Sequence, residues 1–163
     1  MIISITASWN TLTDATATGY NLEYFWCRTV DIQKYLDRES TIQIGTGTGY
    51  FELADAYRLE NDVVADIIEY LSPAFIITTE VRIRYLKTQA SKLTAAAIAT
   101  SRFAGTMSGD IADFVKRLRN EAWSALMRSF ISGTITGITP KTLSYKERLI
   151  LYKNREQAVL PNV

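Results

Sequence analysis

Histidine is absent from all 163 residues, and with it go the commonest general base, the usual serine and cysteine triads and most transition-metal sites. Catalysis would have to rest on Asp, Glu, Lys or Tyr alone, and no nucleophile stands paired with a base. The chain therefore reads as a protein that is not an enzyme and needs no metal or cofactor. Cysteine occurs once, at Cys27, which excludes an internal disulfide and a thiolate zinc site. Beside Trp26 it reads as a small packed residue, since no imidazole exists to activate it. Long apolar runs are missing too: Ala74-Phe75-Ile76-Ile77 is the densest stretch, far short of the ~20 residues that span a bilayer. No membrane partner is expected. No cation precedes Arg28, so the basic region of a secretory signal is not expected, and a cytoplasm is the expected place of synthesis. Net charge is nearly absent as well, with 18 Lys and Arg against 17 Asp and Glu. Any electrostatic function must come from local patches.

What is present is an ordinary globular composition, 47% apolar and 21% charged, on a chain long enough for one sizeable core. Its strongest pattern is a pair of helix-length segments, Thr79 to Phe103 and Ser108 to Gly133, joined only by Ala104-Gly105-Thr106-Met107. So short a joint makes the helices fold back on each other or cross sharply. The first carries apolar or small residues at Ile76, Thr79, Ile83, Leu86, Ala90, Leu93, Ala97 and Thr100, a narrow seam at alternating spacings of three and four. The second repeats it with Ile111, Val115, Leu118, Ala122 and Ala125, widened by Phe114, Leu126 and Phe130. Such periodicity reports burial, so function must be sought around the hairpin.

Residues 1–27 are rich in Thr and aromatics and read as an extended arm or strand with a turn at Gly19. A short helix is expected over Thr29 to Arg38, with Asp31 in its first turn and an apolar face of Val30, Ile32, Tyr35 and Leu36. The run Thr41 to Phe51 suggests a strand entering a Gly-Thr loop. No Lys-Ser or Lys-Thr follows its glycines, so a hairpin tip or interface loop is preferred over a phosphate cradle. Asn61 is a good N-cap for a helix through Leu71, with Pro73 marking its end.

Charge is sorted along the chain. Glu52, Asp55, Glu60, Asp62, Asp66 and Glu69 cluster against Arg58 alone, after which Arg82, Arg84, Lys87, Lys92 and Arg102 face only Glu80, and Lys116-Arg117-Leu118-Arg119 follows. Asp62 and Asp66 share one helical face, but no Asp-x-Asp-x-Asp-Gly loop accompanies them, so a solvated or partner-facing patch is preferred to a cation site. Acidic and basic zones on one neutral chain suit head-to-tail contacts between copies. A helix-turn-helix around Gly105 is disfavoured, since its reading helix would open with Asp110 and Asp113 where phosphates crowd closest. After Gly133 the helical pattern dissolves. Leu143 to Tyr152 suits either a last short helix packed on the hairpin or an extended arm docking on another subunit.

The order of Asp31-Ile32-Gln33-Lys34-Tyr35-Leu36, the loop to Phe51, the acidic helix ending Ile67-Ile68-Glu69-Tyr70-Leu71 and the long helices after it resembles a known family. It is that of the small helical head-to-tail connector, or adaptor, subunits of tailed bacteriophages, including the phage Mu-like virion proteins of this size. The resemblance covers residues 28–133. It implies a mainly α fold and a structural virion protein that forms a ring, commonly twelvefold, at the neck between portal and tail. DNA would pass through that ring without sequence recognition, tail or neck proteins would be further partners, and assembly would take place in the host cytoplasm. The alternative function is a helical DNA-binding regulator. The expected architecture is an antiparallel long-helix hairpin with two short helices, divided into an N-terminal arm (1–27), a helical core (28–133) and a C-terminal arm (134–163). Asp62, Asp66 and Glu69 of one copy are expected to face Arg82, Arg84 or Lys87 of the next, while Leu149, Ile150, Leu151 and Tyr152 dock on the portal side.

Overall fold

A computed structural model describes residues 26–77 and 83–159, with side chains as far as residue 154. Residues 1–25 of the expected arm (1–27) and the site residue Arg82 lie outside the described residues. The fold is mainly helical. Its first helix, α1 (Thr29–Leu36), begins where the Asp31 carboxylate accepts the Arg28 backbone N–H at 3.3 Å, and it buries Ile32, Tyr35 and Leu36. It stops two residues before the expected Arg38, at a turn in which the Ser40 N–H donates to Leu36 O.

The Gly-Thr stretch does not form a hairpin tip. β1 (Ile44–Gly45) runs parallel to β2 (Phe51–Glu52), in register Ile44 to Phe51. Gln33 explains the geometry. Its amide donates to Ile42 O at 2.8 Å and accepts from Ile44 N at 2.9 Å, so α1 holds the first strand by its backbone. The loop turns through Gly47 (φ 112°) and Gly49 (φ 94°), conformations that side chains rarely adopt.

α2 (Leu53–Leu71) corrects the expected helix start: Asn61 lies mid-helix, not at the N-cap. The buried side is Leu53, Ala56, Tyr57, Glu60, Val64, Ile67 and Leu71, spacings of three and four that an amphipathic helix requires. Glu60 breaks the apolar pattern at a core position, and that break hides the first two turns from the sequence.

α3 (Arg84–Arg102) and α4 (Gly109–Ser132) form the antiparallel hairpin. Its direction follows from the cross-links: Tyr85 Oη donates to Ala125 O at 2.8 Å, Lys92 Nζ meets Glu121 Oε2 at 2.8 Å, and Arg119 reaches Thr100. The expected narrow seam on the first helix proves wider. Gln89, Ser91, Thr94, Ala95, Ala96, Ile98 and Ala99 are buried beside Leu86, Ala90 and Leu93, because α1, α2 and α4 all pack on α3. Small residues through its middle let those helices approach closely. Ile76 belongs instead to β3 (Phe75–Ile76), which pairs antiparallel with β4 (Thr139–Pro140), and it is exposed.

α4 ends at Gly133, whose left-handed φ of 70° closes the helix while its N–H donates to Ser129 O. The C-terminal segment then takes the helical alternative, α5 (Tyr145–Val159), which packs on α4. Ser144 and Glu147 open it as a capping box: the Glu147 carboxylate accepts the Ser144 N–H at 2.7 Å and the Ser144 hydroxyl accepts the Glu147 N–H at 3.2 Å. Arg148 crosses Gly133 and donates to Ile131 O at 3.1 Å and to Leu143 O, placing a cation at the negative end of α4.

Candidate assembly surface

One side of α2 is committed to the core, and the other carries Asp55, Arg58, Asp62, Ala65, Asp66 and Glu69. Arg58 is spent on Asp55 at 3.4 Å. Among the described residues, no cation comes within ion-pair distance of Asp62, Asp66 or Glu69. Positions 62, 66 and 69 stack along one stripe, and the Asp66 carboxyl is pushed above the usual range, first by partial burial and then by the charges of Glu69 and Asp62. Like charges held together without a donor make a surface that is improved by an incoming cation.

The structure separates the other expected contact residues. Arg84 is exposed at the first turn of α3, and Lys87 is half-buried, its carbonyl accepting the Cys27 thiol at 3.4 Å. The four residues expected as a free docking arm are part of α5. Leu151 and Tyr152 pack against the core and Leu149 is half-buried, so Ile150, 49% exposed, is the most open of the four. Leu151 and Tyr152 are thus part of a helix packed on α4 and not of a free arm.

Some cations on α3 and α4 are paired within the subunit and others on α3, α4 and α5 are not. Lys92 and Arg117 are held by Glu121 and Glu39 within the subunit, and Lys92 holds the Glu121 carboxyl below its ordinary range. Arg84, Lys116, Lys146 and Lys153 have no such partner among the described residues. Asp110 and Asp113 lie exposed on the first two turns of α4.

Sequence reasoning missed the role of Glu60. Its side chain is fully buried and Oε1 accepts the backbone N–H groups of Trp26 and Cys27 at 2.7 and 2.6 Å. The carboxylate thus fastens the chain ahead of α1 to α2. Burial, together with the negative charge of Glu60, pushes the Cys27 thiol well above its ordinary range, so it remains a protonated packing group. The available signal was an acidic residue at a helical core spacing. Among the described residues there is no group of three or more potential metal ligands, and no helix is long and apolar enough to cross a membrane.

Comparison with protein-family models, with curated proteins and with solved structures finds no match.

Proposed function

We propose that the protein is a structural virion subunit, a head-to-tail connector that assembles with itself into a ring between portal and tail or neck proteins of a tailed phage. Twelve copies are the expected number, and DNA would pass through the ring without sequence recognition. The observation that carries this reading is the stripe of Asp62, Asp66 and Glu69, which meets no counter-charge among the described residues, on a chain where Arg84, Lys116, Lys146 and Lys153 of other helices likewise have no ion-pair partner among those residues. Complementary surfaces at different places on one subunit produce head-to-tail contacts, and those close into rings when the rotation allows. Steering by such patches favours encounter in one register over others. The virion setting rests on the resemblance of residues 28–133 to the connector family.

Native mass by light scattering tests the reading, on the protein alone and mixed with portal protein. A discrete high-order species, formed alone or on portal, is the expected result. A protein that stays monomeric in both conditions and binds a short DNA duplex tightly at physiological salt would hand the argument to the DNA-binding alternative. Asp110 and Asp113 at the start of α4 weigh against that alternative.

A further inference from the structure

The side of α5 that faces away from α4 is neither uniformly polar nor random. Arg148, Leu151 and Tyr152 define its inner side, through the bonds to the end of α4 and packing on the core. About half a turn around the helix lie Lys146, Ile150 and Lys153, all exposed. Their spacing, a residue with its fourth and seventh successors, is the spacing of Asp62, Asp66 and Glu69 on α2. Each stripe is about 10 Å long. One is three carboxylates beside the small, exposed Ala65; the other is two ammonium groups flanking a branched apolar side chain.

We infer that the outer face of α5 in one copy lies antiparallel on the outer face of α2 in the next, with Ile150 over Ala65, Lys146 at Glu69 and Lys153 at Asp62. This rests on the self-assembly reading above and deepens it by naming the basic partner of the acidic stripe. The antiparallel sense follows from chemistry. In a parallel pairing Ile150 would sit on the Asp66 carboxylate and desolvate it without a donor, whereas the antiparallel pairing brings it to the one small residue of the stripe. Lysine suits the task, since its long stem covers the edge of an apolar contact while its ammonium reaches a carboxylate. Arg84 and Lys87 fit less well, because Lys87 is half-buried against its own subunit, which among the described residues of that set leaves one exposed cation where the stripe offers three anions. The acidic surface is on a helix that packs on α3 and the basic one on a helix that packs on α4, so the same contact can repeat from copy to copy.

The test is charge exchange in the full chain, read as the dissociation constant of self-association from sedimentation velocity, with the thermal midpoint of each variant as a folding control. Lys146→Glu with Lys153→Glu should weaken association at least tenfold, and Asp62→Lys with Glu69→Lys should do the same. The four changes together should restore most of it. Ile150→Ser, on an exposed position, should weaken association severalfold with the thermal midpoint unchanged. If the acidic-stripe variant is rescued by Arg84→Glu and not by the α5 changes, or if the α5 variants and Ile150→Ser associate like the parent, the α5 assignment is overturned while self-assembly stands. A parent protein that is monomeric at every concentration, alone and mixed with portal protein, overturns both.

Discussion

Replacing Glu60 by Leu removes the one charged side chain among the largest fully buried ones of the described residues, and at first sight that should help. Exchanging buried ions for apolar groups of similar size is often neutral or stabilising, because the desolvation cost disappears with the charge. Here the partners decide the sign. Oε1 accepts two backbone N–H groups, from Trp26 at 2.7 Å and Cys27 at 2.6 Å, in residues that are themselves 0% and 1% exposed. Backbone donors cannot be exchanged along with the acid, so Glu60→Leu leaves both without an acceptor, at about 1 to 3 kcal/mol each. Set against this is about 2 kcal/mol from burying the leucine side chain and the relief of carboxylate desolvation. A net loss of about 1 to 2 kcal/mol is expected, or roughly 2 to 8 °C in thermal midpoint for a chain of this size. Glu60→Gln keeps an acceptor oxygen and loses only charge assistance, so it should cost about half as much. Urea denaturation of both variants, with hydrogen exchange at the Trp26 and Cys27 amides, checks the order. A Glu60→Leu protein as stable as the parent, or less affected than Glu60→Gln, refutes the reasoning, as would unchanged protection of those two amides.

Leu86→Ala or Leu118→Ala, at positions 0% and 4% exposed on the facing helices of the hairpin, should each cost about 2 to 5 kcal/mol in the denaturant midpoint. Gly133→Ala would place a Cβ 2.6 Å from Arg148 Cζ at a backbone φ of 70°, so a loss of about 1 to 3 kcal/mol is expected. Arg148→Ala should cost about 1 kcal/mol, and the double variant less than the sum, because removing the guanidinium frees the space the new methyl needs. Because the Asp66 carboxyl is raised in the folded subunit, its charge is a burden above that raised value and the burden is lifted as pH falls through it. Asp66→Asn should therefore hold or slightly raise the thermal midpoint of the monomer near neutral pH while weakening assembly, two opposite signs that calorimetry and native mass separate.

The hairpin was legible because Leu86, Ala90 and Leu93 on one helix and Val115, Leu118 and Ala122 on the other keep the helical period without interruption, and all are buried. The first half of α2 was not, because Glu60 occupies a position where the period demands an apolar residue. The backbone N–H groups of Trp26 and Cys27, brought there from another part of the chain, help to make that tolerable. The parallel turn of the Gly-Thr loop depends on the Gln33 side chain holding β1, a tertiary contact with no local signature. α5 could have been read: Ser144 and Glu147 have capping-box spacing ahead of a charged and apolar run. Its outer stripe could not, since Lys146, Ile150 and Lys153 become a face only once Arg148, Leu151 and Tyr152 are known to turn toward α4. The acidic stripe on α2 was visible as composition, and the structure adds that nothing among the described residues neutralises it.

α2 presents carboxylates in two settings, and the contrast bears on what an assembly partner must bring. Inside, Glu60 is fully buried and two N–H donors meet it within 2.7 Å. Outside, Asp62, Asp66 and Glu69 lie exposed to water and meet no cation among the described residues. Covering them with a purely apolar surface would strip that water without replacing it, at several kcal/mol per ion, so a partner that buries this face has to carry cations of its own. Pairs formed at the rim of such a contact are partly hydrated, and at physiological ionic strength charges more than ~8 Å apart are largely screened. Salt should therefore slow assembly more than it loosens the finished contact, since Ile150 against Ala65 is indifferent to screening while the approach of the two stripes is not.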